Sequence, residues 1–511
     1  MTSIKCLYLF GVRSLVIRRA KGFPRILTFT PCFYETAKIL DRVRELAGEE
    51  HILVRALEKE LSRPRYELTK LWVGVIGTIA LMMSIYLIGG NMYAAEQEKP
   101  LEQAIAIYVR QHPKTAPNQS AIELQSLITK LGLSVEVFGD GSEVKVKPEQ
   151  KAIAEWKEIQ NTLDNYLLKE LKKVEGSIEL PPEKLAIYLK THQAEIEAIE
   201  THLINNPIPK WGFDSGWVEK SDLKAADSPF SKWMNYPILF TIDNVIVVNT
   251  LYKQLYQVDI SSNLAALENL QQCFQAQPSL LGQLISRIGE DRILKLARRL
   301  DKVPTGWGDN LFSRNRRRQM ISAIESESMG ETRIFQSSSS LDRLLNESQN
   351  PLRFVPGYSQ LALPRIRLAA IERHREVEKG LASWSDRNIC HTDGKSNIKL
   401  TSGLEDYNYW YLITPLDLIN QYPKLLRKDL SWELTTSVRQ VKAKLAAGEN
   451  VDLVAKDFNL PSKVCSGENW TAKAKDGAVS IEFSHPPDWK ALGVSPKNIE
   501  PLTYKVKPID R

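Results

Sequence analysis

The residue types that do chemistry are spread thinly along this 511-residue chain. Of its seven histidines, only Glu482-Phe483-Ser484-His485 has the Glu-x-x-His spacing by which helical di-metal centres place two ligands on one face. That tetrapeptide falls in an alternating run that reads as a strand, where positions three apart point to opposite sides. His192, Glu195 and His202 fall on one predicted helix, but His192 and His202 stand almost three turns apart, too far to share an ion. The expectation is no metal site. Ser-x-x-Lys occurs at Ser221–Lys224 and Ser396–Lys399, a spacing that sets an amine beside a hydroxyl on one helical turn, as in envelope acyl-transfer enzymes. The Ser-Asp-Asn and Lys-Thr-Gly elements that accompany it there are missing from this sequence. There is likewise no Gly-x-Ser-x-Gly, His-Glu-x-x-His, P-loop or Gly-x-Gly-x-x-Gly. No catalytic residue is named, no cofactor is expected, and the reading leans away from an enzyme.

Three further groups carry chemistry of a softer kind. Cys390 and Cys465 flank the approach to the C-terminal region and are a candidate disulfide, whereas Cys273 sits in an amphipathic run as a small hydrophobe. Cys6 and Cys32 fall in the N-terminal tail and are expected to stay reduced. Trp211, Phe213, Trp217, Phe230 and Trp233 cluster in a turn-rich stretch with Asp214 and Asp222, and exposed aromatic faces there would stack sugars or a peptide. The competing use is to anchor helices from within. Arg314, Arg316, Arg317 and Arg318 form a second candidate binding surface, for envelope phosphates or an acidic partner, with a solvated helix face as the alternative.

The elements that hold these residues begin with a membrane span. Residues 71–90 carry no charge, and twenty residues at 1.5 Å each cover about 30 Å, the thickness of a bilayer's hydrocarbon core. Trp72 stands near one end and Tyr86 and Tyr93 near the other, as interfacial aromatics do. Arg55, Lys59, Arg63, Arg65 and Lys70 precede the run, and only Lys99 and Arg110 follow it closely. That bias keeps residues 1–70 in the cytoplasm and exports residues 91–511. The run is too long for a signal peptide and Met92-Tyr93-Ala94-Ala95 is a poor cleavage site, so it reads as a signal anchor. Residues 237–252, interrupted by Asp243, Asn244 and Asn249, read as a buried helix and not a second span.

Composition agrees with that layout. The chain is 43% hydrophobic and 25% charged, enough to build a core, and a mean hydropathy of −0.28 excludes a polytopic transporter. The net charge of +7 is concentrated in residues 1–40, where seven basic side chains face Glu35 alone. A nearly neutral remainder gives no reason to bind nucleic acid. The tail reads as an unstructured leader, a targeting peptide or a segment lying on anionic lipid.

Most of the rest has a helical period. Residues 35–61 read as one amphipathic helix interrupted by Gly48, a face on which two copies could pair. Beyond the span, helices are expected over 101–111, 120–131, 149–174, 182–204, 239–257, 264–276, 279–288, 291–300, 314–326, 361–382 and 430–447. Pro364 is expected in a first turn, and Ser337-Ser338-Ser339-Ser340 as a linker. Gly139-Asp140-Gly141 predicts a hairpin over 133–147, and Asp476-Gly477 predicts another between strands at 470–475 and 478–484. Residues 106–112 (Ala-Ile-Tyr-Val-Arg-Gln-His) are echoed at 186–192 (Ala-Ile-Tyr-Leu-Lys-Thr-His), too short a match to claim a solenoid.

The fold class expected is mainly α: a single transmembrane helix, then a helix-rich extracytoplasmic region with a small hairpin near 133–147 and a β-rich C-terminal module. The division is a cytoplasmic tail and amphipathic helix over 1–70, the span over 71–90, a helical domain over 91–336, a second helical segment over 341–460 and a small module over 461–511. With Cys465-x4-Trp470 followed by Asp476-Gly477 behind a helix-rich middle, the layout resembles uncharacterised bacterial single-pass membrane proteins with a helical exported region and a C-terminal hairpin module. The resemblance implies an architecture and no activity. The function expected is a membrane-anchored interaction or assembly protein of the cell envelope, with a protein partner or a second copy of itself. The alternatives are an envelope hydrolase with a site assembled from distant residues, or a glycan or lipid binder using the Trp211–Trp233 stretch.

Overall fold

A computed structural model describes the chain except residues 1–2, 10–11, 19–24, 30–32, 63–65, 134–146, 175–176, 214, 219–235, 305–306, 309–314, 337, 348–353, 355–356, 387–389, 391–420, 490–500 and 509–511. The protein is mainly helical, with a small four-stranded antiparallel sheet near its C-terminus. It divides into two compact units, Met1–Gly90 and Asn91–Arg511.

The first unit opens with a three-stranded antiparallel meander, β1 (Ser3–Leu9), β2 (Val12–Arg18) and β3 (Arg25–Phe29). This departs from the expected unstructured tail. The physical reason is composition: Ile4, Tyr8, Val12, Val16, Ile17, Ile26 and Phe29 favour strands, and Gly11 and Pro24 separate them. Helices α1 (Phe33–Ala47) and α2 (Ile52–Ser62) follow. They part at Gly48, whose φ of +85° suits a residue without a Cβ. Leu40, Val54 and Leu57 are buried there, and Arg44 of α1 pairs with Glu58 of α2.

Helix α3 (Tyr66–Gln111) is 46 residues long and runs without a break through the apolar stretch and 21 residues beyond it. It is long and apolar enough to cross a membrane, and none of its most apolar window is buried in the protein. Val73, Ile76, Met82 and Ile85 are all more than half exposed, a patch that water would not tolerate and lipid would. The hydroxyls within it turn back on the helix: Thr78 Oγ1 donates to the Gly74 carbonyl and Ser84 Oγ to that of Ala80, each at 2.8 Å. That is the satisfaction a hydroxyl needs where no water is present. The separate helix expected over 101–111 is thus the end of α3, and Pro100 lies inside it.

The second unit packs α4 (Gln119–Thr129), α5 (Gln150–Lys172), α6 (Glu183–Thr191), α7 (Gln193–Asn205), α8 (Tyr236–Leu255), α9 (Ser261–Gln275) and α10 (Leu280–Arg299) around one apolar core. Leu163, Leu185, Ile196, Val247, Leu264, Phe274 and Ile293 lie at its centre. The polar residues that mark α8 as a soluble helix all find partners. Asn244 donates to Asp164 of α5, Asn249 to Glu200 of α7, and Asp243 accepts from Gln271 of α9, each at 3.1 Å. The helix expected over 182–204 is two helices, because the chain leaves helical geometry at His192 (φ −100°, ψ 18°). The two expected over 279–300 are one, α10.

A second core joins α10 to α11 (Asn315–Ile334), α13 (Tyr358–Asp386), α14 (Gln421–Ala446) and α15 (Val451–Asp457), with α12 (Ser338–Glu347) packed on α13. Ser338, Ser339 and Ser340, expected in a linker, form the first turn of α12, where short hydroxyl side chains are favoured. Pro364 lies in the second turn of α13, not its first.

The sheet, β4 (Asn459–Pro461), β5 (Asn469–Lys475), β6 (Ala478–Phe483) and β7 (Thr503–Val506), pairs in chain order. Asp476 (φ 53°) and Gly477 (φ 68°) both take left-handed backbone between β5 and β6, the tight hairpin their types predict. Pro461 sits on an edge strand, where its missing N–H costs no central ladder bond. The hairpin expected over 133–147 lies outside the described residues.

One side chain fastens the sheet to the helices. Glu433 of α14 accepts from the backbone N–H of Lys463 (2.6 Å) and Val464 (3.1 Å), from Ser462 Oγ (2.7 Å) and from Trp470 Nε1 (3.0 Å). Trp470 is fully buried, its ring 4.6 Å from that of Phe483. The Cys390–Cys465 disulfide leads into the same turn and spans 75 residues, a loop whose closure stabilises a fold by about 4 kcal/mol in the chain-entropy account. Removing the carboxylate strands the Lys463 N–H, the Ser462 hydroxyl and the Trp470 indole N–H, while the Val464 N–H keeps Ser462 Oγ at 3.2 Å. Glu433→Ala is expected to lower the opening free energy of residues 459–483, read by hydrogen exchange, by about 3 kcal/mol. Glu433→Gln should lose about half of that, since one of its two heads no longer accepts.

Candidate functional site

The residues singled out from the sequence do not converge. Trp211 is buried in the main core and acts as a helix anchor, so it offers no stacking face. Phe213 is half-buried and tied to Thr115 by two backbone hydrogen bonds of 2.8 and 3.1 Å. Trp217 belongs to a short 3-10 turn, Ser215–Trp217, and Phe230 and Trp233 lie outside the described residues. Arg316 and Arg317 open α11 and Arg318 is exposed, while Arg314 lies outside the described residues.

The remaining sequence candidates are equally dispersed. Glu482 pairs with Lys473 and His485 with Glu468, so they do not share a partner. Ser221, Lys224, Ser396 and Lys399 lie outside the described residues. Among the described residues no three ligating side chains gather as a metal site would need. Cys390 and Cys465 are joined to each other. Cys273 is buried, donates to the Asn269 carbonyl at 3.2 Å, and has its thiol pushed up by desolvation, which suits an inert packing role.

What the structure does assemble lies just past residue 90. Arg367 of α13 grips Glu98 of α3 with both arms of its guanidinium, Nε to Oε1 at 2.7 Å and Nη2 to Oε2 at 2.5 Å. Its Nη1 also reaches Asn91 Oδ1 at 3.1 Å, the first residue after the apolar stretch. Two turns on, Arg375 donates to Gln97 Oε1 at 2.9 Å, and Arg333 of α11 reaches Glu102 at 3.5 Å. Glu98 is buried and the Arg367 side chain nearly so. A two-pronged charged contact of this kind fixes orientation as well as position. The tail of α3 is clamped against α13 and α11 directly where the apolar stretch ends.

Behind the clamp, α11 and α13 face each other through polar groups. Ser328 Oγ lies 2.9 Å from His374 Nδ1, and His374 Nε2 lies 3.3 Å from Glu378 Oε1. The order Ser, His, Glu is that of an acyl-transfer relay. Its geometry is not. Ser328 is buried in the middle of α11, where neighbouring N–H groups are engaged by the helix and offer no oxyanion hole. Burial lowers His374, with Glu378 opposing.

Carboxylates on α11 share this interface. Burial pushes Glu327 up to about 7. It pushes Glu331 up to about 8, against Arg373 of α13 at 3.6 Å and with Glu327 adding to the rise. Tyr108 of α3 is pushed up to about 12, chiefly by burial, with Ser326 opposing and the charge of Glu327 adding to the rise, and it packs with Leu101, Ile105 and Met329. Within the second unit the clamp and this seam therefore form one connected region, the tail of α3 against α11 and α13. Sequence reading missed it because its pairs are some 270 residues apart; the available signal was Arg367 and Arg375 two turns apart on one helix and Glu98 and Glu102 one turn apart on another.

Arg367→Ala would leave Glu98 buried without its fork. The full chain in mild detergent is expected to lose about 3 kcal/mol of stability to chemical denaturation. Arg367→Lys should recover less than half, because an ammonium cannot meet both carboxylate oxygens in one plane. In comparisons with known proteins, the chain matches no family model, no curated protein and no solved structure.

Proposed function

We propose that this protein is a single-pass, membrane-anchored interaction or assembly protein of the cell envelope, with residues 1–70 cytoplasmic and residues 91–511 outside. The observation that carries the reading is α3, whose bare apolar stretch continues without a break into a tail clamped by Arg367, Arg375 and Arg333. The apolar stretch and a helix packed into the second unit are thus one continuous element, which suits an anchor built into the folded protein. The excess of Lys and Arg before the span supports the orientation. So does the Cys390–Cys465 bond, which an oxidising compartment preserves. The interior polar groups are engaged in joining helices, as in Glu200 with Asn249 and Asn263, which favours a body built to present surfaces.

The reading is tested in two steps. Alkaline phosphatase fused after Arg511 should be active and a fluorescent protein at the same place dark, with the chain retained in membranes after carbonate washing. The reverse reporter pattern, or release by carbonate, overturns the topology. In-cell crosslinking followed by purification in mild detergent should then trap a defined partner or a second copy. A chain recovered solely as a monomer would overturn the interaction role while leaving the topology intact.

A further inference from the structure

Elsewhere in the second unit the buried carboxylates Glu98, Glu200 and Glu433 each accept hydrogen bonds from another element. On α11 the balance is different. Glu327 Oε2 is buried and has no hydrogen-bond partner among the described residues. Glu331 follows one helical turn later on the same side, with Arg373 at 3.6 Å. Two carboxylates at this spacing repel when both are ionised, and desolvation sharpens the repulsion.

The groups around the pair come from four directions. Helix α13 brings Arg373, His374 between Ser328 and Glu378, Glu376 beside Arg373, and Glu378 itself, which acts on Glu325. Helix α3 brings Tyr108, and α11 contributes Glu325 and Arg333, the latter drawn to Glu102. Helix α10 presents Leu280 and Leu284 to α11, which are apolar. The positive charge that reaches the pair is a guanidinium facing Glu331, and Glu327 Oε2 is buried without a hydrogen-bond partner among the described residues.

We propose that the α11 face carrying Glu327 and Glu331 is a proton-operated latch, closed on α13 and on the clamped tail of α3 while the pair holds a proton, and loosened when both carboxylates ionise. The latch goes beyond the anchoring role and works on whichever side of the membrane the second unit lies. Its sign follows from linkage. Opening returns each carboxyl to water and to the ordinary glutamate value of 4.5, whereas closed they sit near 7 and 8. Closure is therefore fully favoured below about 4.5, weakens as pH rises through the values of the closed state, and reaches a floor above about 8.

The test is hydrogen exchange of residues 315–334 in the full chain in mild detergent, with intrinsic exchange rates divided out. Between about pH 5 and about pH 7 the opening constant should rise about tenfold per pH unit for each linked proton, then level off. Glu327→Gln should remove one proton from that slope, and Glu327→Gln with Glu331→Gln should flatten it at the closed value. A wild-type constant that does not change with pH overturns the latch, and so does a double variant that keeps the full slope. In the wild-type chain, infrared spectroscopy should also show a protonated carboxyl band that is lost between about pH 6 and about pH 9. A chain with no such band above about pH 6 would overturn the latch without recourse to variants.

Discussion

Burying a carboxylate between helices is unfavourable unless a donor from another helix meets it. That constraint orders the second unit. Glu170 of α5 meets Arg299 of α10 at 3.2 Å, and Glu200 of α7 meets Asn249 of α8 and Asn263 of α9. Glu290 of α10 is reached by Lys428 of α14 and by Gln275 of α9. Leucines alone would let these helices slide past one another by a turn at modest cost. A buried ion with one matching partner does not permit this. Desolvation lowers Lys428 to about 7, a sign of how completely the packing has removed it from water. The same requirement is met at Glu98 of α3 by Arg367 and at the turn before β5 by Glu433.

Seen this way, the weakly partnered carboxylate is the informative one. A helix such as α11, which places Glu325, Glu327 and Glu331 within two turns, is poorly suited to a purely structural interface. Apolar side chains of similar size would pack there without the desolvation cost. The acids lie on the helix that also supplies Arg333 to the clamp, whereas the β module is fastened by Glu433 with four donors.

Local signals were legible and long-range ones were not. Asp476-Gly477 specified its hairpin because two left-handed residues in a row leave few other turns. The apolar stretch was legible because length and absence of charge are enough, and the polar residues of 237–252 correctly marked a buried helix. The break at His192 was hidden, since apolar residues at Leu185, Leu189, Ile196 and Ile199 keep a helical period straight through it. The serine run at 337–340 looked like a linker because three hydroxyls that open a helix have the composition of a loop. The basic N-terminal tail hid a meander because its charge drew attention from its β-branched residues. As for the candidate site, each half of the clamp is an ordinary charged helix face in sequence, and only folding brings Arg367 to Glu98. The aromatic stretch misled for the converse reason: Trp211 is as suited to a core as to a surface, and composition does not say which.

The echo between residues 106–112 and 186–192 extends from sequence to local structure. Tyr108 and Tyr188 are both buried, Ile107 and Ile187 both exposed, and each tyrosine ring lies 4.4 Å from the histidine four residues on. Each histidine N–H bonds its tyrosine's carbonyl where the helix ends. The helices that follow begin alike, Gln119 bonding Glu123 and Gln193 bonding Glu197, and α4 and α7 pack together through Ser120 and His202. The match in environment goes well beyond seven letters of sequence. Burial pushes both phenols up, and in each case nearby carboxylates add to the rise, Glu327 at Tyr108 and Glu155 and Glu195 at Tyr188. The two differ in packing: Tyr188 meets the indole of Trp156 edge-on at 6.1 Å, whereas Tyr108 packs with Leu101, Ile105 and Met329. One short sequence pattern, a tyrosine one turn before a helix-ending histidine, thus builds the same local turn in two different surroundings.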